Sequence, residues 1–269
     1  MNKTSIKKGL KGKYLAFANK NRHLLPNFII IGSAKSATTT LRIVLQTHPD
    51  IFFSRMKEPK FFGKNFNEGW EWYTSKFILG ENFPLRGEAS TMYTSNSKKY
   101  RRSAKLMNIY LPEIKLIYIV RNPWDRLVSQ WRHRKGRDQN TPEFNSITTN
   151  KRLGRLLVGC SMYYKRLSEY RKYYQDKQIH CITYEDFLSK PNEILENAQL
   201  FLGVEPRSKD LLLENGHLPL ENKAGEKGRV YVEKPKWDNE VKEAILQKIR
   251  PDAKKMLTYM GKSTDYWEL

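Results

Sequence analysis

Residues 32 to 40 read Gly-Ser-Ala-Lys-Ser-Ala-Thr-Thr-Thr, directly after the apolar run Phe28 to Ile31. Gly32, Ser33, Ala34, Ser36 and Ala37 are small enough to let an oxyanion reach the backbone N–H groups of a helix start, where the helix dipole favours negative charge. Thr38, Thr39 and Thr40 add hydroxyl donors, and Lys35 sets a positive charge in the middle of the turn. A second group, Arg121-Asn122-Pro123, ends the apolar run over 115–120, and Ser129 follows the arginine at eight residues. Two carboxylates, Glu58 in Met-Lys-Glu-Pro-Lys-Phe-Phe and Glu88 in Gly-Glu-Ala-Ser-Thr-Met-Tyr, have the chemistry to take a proton from an attacking group.

A nucleoside triphosphatase loop reads GxxxxGK[ST]. Laid on Gly32, that pattern puts Ala37 at the second glycine and Thr38 at the lysine. The other clear strand ends in Arg121, where such enzymes place an aspartate that helps to hold magnesium. Both departures favour a phosphate-bearing ligand neutralised by cationic side chains, with no metal required. Taken alone, the first stretch also reads as a structural turn with an exposed lysine, and Glu58 as a carboxylate paired with Lys57 or Lys60. Glu88 reads as a buried or loop-orienting carboxylate, with the base role second. His48 in a helix-ending turn and His133 at a helix end are poor candidates for the base.

These groups need a scaffold that brings distant loops together. Short apolar runs alternating with helix-like segments predict an α/β fold with a central, mainly parallel sheet flanked by helices. The expected strands are 28–31, 51–53, 86–90, 115–120 and 179–183. Expected helices cover 39–46, about 97–108, 123 to about 133 with Asn122 as N-cap and Pro123 as first residue, a long helix carrying Tyr163, Leu167, Tyr170 and Tyr174, 184–188, 191–202 and most of the last thirty residues. Segments 134–149 and 215–236 read as irregular. A Lys-rich stretch, 1–25, reads as a solvated basic arm, and 26–269 as one domain.

With 49 Lys and Arg against 28 Asp and Glu in 269 residues, the net charge of +21 calls for anionic partners. No helix-turn-helix, zinc-finger or ribonucleoprotein signature accompanies the charge, so a nucleic-acid partner is not expected. No run approaches the ~18 apolar residues of a membrane span. Two cysteines, Cys160 and Cys181, are too few to staple a domain of this size. A soluble, cytoplasmic protein is the expectation.

The lysine three residues after the first glycine, followed by Thr-Thr-x-Leu, resembles the 5′-phosphosulfate loop of sulfotransferases that use 3′-phosphoadenosine 5′-phosphosulfate. Ile119 to Trp131 resembles that family's 3′-phosphate site. The resemblance implies that Lys35, Ser36, Ala37, Thr38, Thr39 and Thr40 contact the donor at one end and Arg121 and Ser129 at the other. It implies the same fold, with adenosine 3′,5′-bisphosphate as product. Met56 to Phe62 resembles the Glu-containing segment of the carbohydrate sulfotransferases of the heparan sulfate type, which implies Glu58 as catalytic base beside Lys35. Glu226 to Arg229 resembles the late loop that closes over the cofactor, implying Lys227, Gly228 and Arg229. Ala37 stands where the family usually has glycine, and Lys60 where a histidine is common. The implied acceptor is a hydroxyl or amine of a carbohydrate or glycoconjugate, anionic in keeping with the charge, with a small-molecule or lipid hydroxyl as the alternative.

Overall fold

The computed structural model describes residues 12, 15–207, 218–219 and 230–269. Strands β1 (Phe28–Gly32), β2 (Ile51–Phe53), β3 (Leu85–Ala89), β4 (Lys115–Val120) and β5 (Ile179–Thr183) lie within one residue of their expected limits. They form one sheet in the order β2-β3-β1-β4-β5, and each neighbouring pair is parallel.

Burial on both faces explains why β1 and β4 are continuous apolar runs. Phe28, Ile30, Ile117 and Ile119 pack on one face with Leu41, Val44 and Leu45 of α1 (Thr38–Gln46). Ile29, Ile31, Leu116, Tyr118 and Val120 pack on the other. Each large aliphatic side chain removed from water there contributes on the order of 2 kcal/mol.

The second face carries α2 (Gly69–Thr74), α3 (Ser103–Tyr110), α4 (Pro123–Lys135), α5 (Lys151–Ser161), α6 (Tyr163–Arg171) and the carboxy-terminal helix. The first face is completed by α7 (Tyr184–Ser189) and α8 (Pro191–Leu202). From β1 the chain crosses to α1 on one face, and from β4 to α4 on the other. The two strands are neighbours, so the crevice beyond their carboxyl ends is a topological switch point, where α/β sheets bind ligands.

Asn122 caps α4 as expected, its Oδ1 accepting from the N–H groups of Trp124 at 3.0 Å and Asp125 at 3.3 Å. The expected long helix is instead two, α5 and α6, broken at Met162, and α6 ends at Arg171, so it carries Tyr163, Leu167 and Tyr170 but not Tyr174. Asp252 of α9 (Asn239–Tyr259) accepts from the N–H groups of Tyr164 at 3.0 Å and Lys165 at 2.9 Å, capping α6 from across the core. The helix expected over 97–108 starts later, after a 3-10 turn at Lys98–Tyr100. The solvated arm expected over 1–25 does not hold for its last part. Residues 15–20 are helical, Ala18 and Leu25 are buried, and Arg86 Nε donates to the Leu25 carbonyl at 3.1 Å.

At the end of β3, Glu88 is fully buried. Its Oε1 accepts from the Tyr73 hydroxyl at 2.8 Å and the Tyr93 hydroxyl at 2.9 Å, and its Oε2 from Ser90 Oγ at 2.6 Å. Ser90 Oγ in turn accepts from the N–H of Lys60, and the Tyr93 hydroxyl from that of Phe62. The carboxylate thus ties β3 to the segment that carries Glu58.

Burial pushes the Glu88 carboxyl up to about 7, against the pull of its three hydrogen bonds. In the window between its ordinary value of 4.5 and about 7 the folded state holds the proton more tightly than the unfolded chain, so stability falls as pH rises through it. Glu88→Gln keeps the hydroxyl acceptor and removes the charge. Urea unfolding of the wild type should lose on the order of 3 kcal/mol across that window from this group, and the variant should not; parallel pH profiles would contradict the assignment.

A second expectation concerns Ala37, which is left-handed with φ 59°. Relief of that conformation outweighs the greater chain entropy of glycine, so Ala37→Gly should raise stability by about 0.5–1 kcal/mol. An unchanged or lowered urea midpoint would show that the loop does not hold Ala37 under strain.

Candidate active site

The loop leaving β1 is shaped by close approach. At Gly32, φ 155°, a Cβ would stand 2.0 Å from Thr94 Oγ1, so only glycine fits against the turn after β3. The Ser33 N–H donates to the Ile119 carbonyl at 2.6 Å, tying the loop to β4. Lys35 (φ 74°) and Ala37 (φ 59°) are both left-handed. Left-handed residues alternating with their neighbours at a helix start make a concave row of N–H groups that suits an anion.

Of the loop residues expected to meet a ligand, Lys35, Ala37, Thr38 and Thr39 line a cavity of about 570 Å³. Ser36 and Thr40 turn inward. Both are buried, and Ser36 Oγ is hydrogen-bonded to Ser33 Oγ at 2.7 Å, which leaves the Ser36 backbone as its contribution to the loop.

Across the cavity stands Glu58. Its Oε1 accepts from Thr91 Oγ1 at 2.9 Å and its Oε2 pairs with Lys60 Nζ at 2.7 Å. With a quarter of its side chain exposed, Glu58 is held in place yet open to a proton donor from the cavity. Lys60 is itself left-handed, with φ 52°. The alternative carboxylate, Glu88, does not line the cavity.

Lys57, Arg134 and Arg137 join Lys35 and Lys60 on the walls, against the carboxylates of Glu58 and Asp138, so the cavity is cationic. Gln130, His133 and Arg134 come from the last turns of α4.

Arg121 and Ser129 do not line this cavity; they sit at the end of β4 and within α4. The Arg121 guanidinium lies 4.5 Å over the Tyr184 ring and 3.6 Å from Asp125 Oδ2, and its buried Nε has no acceptor among the described residues. The Arg121 carbonyl accepts from the Tyr163 hydroxyl at 2.8 Å, and the Asn122 N–H donates to Glu185 at 2.7 Å. The arginine is therefore presented from a backbone fixed on both sides. Lys227, Gly228 and Arg229 lie outside the described residues. Description resumes at Val230, whose N–H donates to the Gly136 carbonyl at 3.1 Å, and Arg132 Nε donates to the Val232 carbonyl at 2.7 Å.

Thr91 and Gln130 were not singled out by sequence. Thr91 lies two residues beyond the end of β3, and its position after a strand at the carboxyl edge of the sheet is the available signal. Gln130 follows Ser129, but its orientation depends on how α4 lies against the loop, which spacing does not reveal.

A family model described as "Sulfotransferase domain" matches residues 25–258. The mouse bifunctional heparan sulfate N-deacetylase/N-sulfotransferase 4 is 30% identical over 202 residues, 68% of this chain and 23% of that protein. The human heparan sulfate glucosamine 3-O-sulfotransferase 3B1 is 26% identical over 195 residues, 70% of this chain and 49% of that protein. The chain thus spans about half or less of the length of these curated relatives. Among solved structures, a sulfotransferase from Alicyclobacillus acidocaldarius has the same fold, with a TM-score of 0.71 and 21% identity over 91% of this chain and 99% of that one. The matched span takes in all five strands, the Lys35 loop, Glu58 and Arg121, and this chain belongs to the sulfotransferase domain family.

Proposed function

We propose that the protein transfers a sulfuryl group from 3′-phosphoadenosine 5′-phosphosulfate to a hydroxyl or amine of a carbohydrate or glycoconjugate acceptor. The observation that carries this reading is that Lys35, on an anion-shaped loop, and Glu58, a hydrogen-bonded carboxylate, face one cavity from separate elements. Family membership supports the reaction class. The relatives' names supply the carbohydrate, and the cationic walls favour an acidic one.

The residues fit such a donor on two counts. The loop is left-handed at Lys35 and Ala37, which turns its N–H groups toward an anion. At the far end of the crevice the Arg121 guanidinium has a buried donor still without an acceptor. Arg121, with the Ser129 hydroxyl, would hold the 3′-phosphate, a contact that separates this donor from ATP. Lys227, Gly228 and Arg229 would cover the nucleotide.

The donor supplies an electrophilic sulfur and a good leaving oxygen. Lys35 places an ammonium where negative charge develops as that oxygen departs, which stabilises the transition state more than the ground state. Glu58 takes the acceptor's proton as the new bond forms. Lys60 and Thr91 keep the Glu58 carboxylate oriented before the acceptor arrives. Lys57, Arg134 and Arg137 line the same cavity and would attract an anionic acceptor.

Transfer of labelled sulfate to a panel of glycan and lipid acceptors tests the roles. Lys35→Ala should lower turnover by about 10²–10³-fold. Glu58→Gln should lower it by about 10²–10⁴-fold while bisphosphate affinity stays within about threefold. Near-normal turnover in Glu58→Gln would remove the base role from Glu58, and an intact Lys35→Ala enzyme would overturn the mechanism.

A further inference from the structure

Arg126, in the first half of α4, is the largest fully buried side chain of the described residues. Its Nε donates to Ser161 Oγ at 2.8 Å and its Nη2 to the Leu157 carbonyl at 2.6 Å, both on α5 and both neutral. Ser161 Oγ is itself committed, donating to the Pro123 carbonyl at 3.2 Å. The third nitrogen, Nη1, is buried with no acceptor among the described residues, and no described carboxylate forms an ion pair with this guanidinium. A buried cation without countercharge is among the most costly features a fold can carry, and such features persist where function requires them.

Its location gives the cost a purpose. Arg126 lines a small cavity of about 30 Å³ together with Ser33 and Ala34 of the anion loop, Thr94, Gln130 and Cys160. Ala34, Thr91, Met92 and Gln130 line both this cavity and the large one, so only the thickness of the loop and its neighbours separates the guanidinium from the site. The Tyr163 hydroxyl links the parts. Burial pushes it up while the Arg126 charge pulls against that, and it donates to the Arg121 carbonyl at 2.8 Å. Through so little intervening protein, a charge acts on an anion at several ångströms far more strongly than across bulk solvent.

We propose that Arg126 is a positioning residue for the donor: a buried cation behind the Ser33–Ala37 loop whose missing countercharge arrives with the ligand's 5′ anionic group. The inference rests on the donor reading above. It adds to Lys35 and the loop N–H groups a cation that never touches the ligand and acts through the loop alone. Because Arg121 and Ser129 serve the other phosphate, the effect of Arg126 is confined to the 5′ end.

Calorimetric titration of the full chain with adenosine 3′,5′-bisphosphate, adenosine 5′-phosphate and adenosine 3′-phosphate tests this, for the wild type, Arg126→Met and Arg126→Lys. In Arg126→Met, affinity for the two ligands bearing a 5′-phosphate should fall by about 10–100-fold while that for the 3′-phosphate stays within about threefold. Retained 3′-phosphate binding also certifies the fold of the variant. Arg126→Lys, which keeps the charge and loses the fork, should bind all three ligands more nearly as the wild type does. A loss shared equally by all three ligands in Arg126→Met would overturn the proposal, since it marks a purely structural arginine. Unchanged affinities would overturn it as well. Should Arg126→Met fail to fold, Arg126→Lys decides: a 5′-selective loss beyond about tenfold with the charge retained would contradict a role for charge. A wild type that binds none of the three would instead remove the donor reading itself.

Discussion

An anion at the carboxyl edge of a parallel sheet has to be held by groups that can replace its water shell, and in the reading proposed for this chain those groups are backbone N–H donors of one short loop. The loop between β1 and α1 presents them because Lys35 and Ala37 adopt left-handed backbone conformations and Gly32 passes against Thr94 with no room for a side chain. The rest of the architecture serves that loop. β1 lies between β3 and β4, so the turns after all three strands meet at one edge. The turn after β3 brings Thr91 to Glu58, and the one after β4 brings Arg121.

Charge is distributed in layers around this point. Lys35 stands on the loop, Lys57, Lys60, Arg134 and Arg137 stand on the walls of the cavity, and Arg126 is buried behind. A binding site that relied on one cation would have to bring it into contact with the anion. Cations at several depths would, in the proposed reaction, allow the leaving oxygen, the acceptor and the nucleotide to be treated separately. The carboxylates are separated as well: Glu58 faces the cavity and is ion-paired, whereas Glu88 is sealed under three hydroxyls and held up to about 7 by its burial.

What could be read from the sequence was what short-range physics determines. The five strands, the Asn122-Pro123 helix start, and the grouping of small residues with Lys35 depend on neighbours in the chain, and the structure has each of them in place. The helix break at Met162 was not legible, because the cap that permits it comes from Asp252, nearly ninety residues away. The burial of Arg126 was hidden for the same reason: on a helix rich in arginine, only its packing against Leu157 and Ser161 of α5 distinguishes it from the half-buried Arg132 and Arg134. The inward turn of Ser36 and Thr40 likewise follows from loop geometry that residue type does not encode.

The central claim is that the crevice between β1 and β4 accepts a nucleotide through its 5′ and 3′ phosphates. Thermal unfolding in the presence of adenosine 3′,5′-bisphosphate, compared with ATP and magnesium at the same concentration, tests it most directly. At about 100 times its dissociation constant the bisphosphate should add about 2.7 kcal/mol of stability, and ATP much less. Stabilisation by ATP with magnesium and none by the bisphosphate would contradict the account.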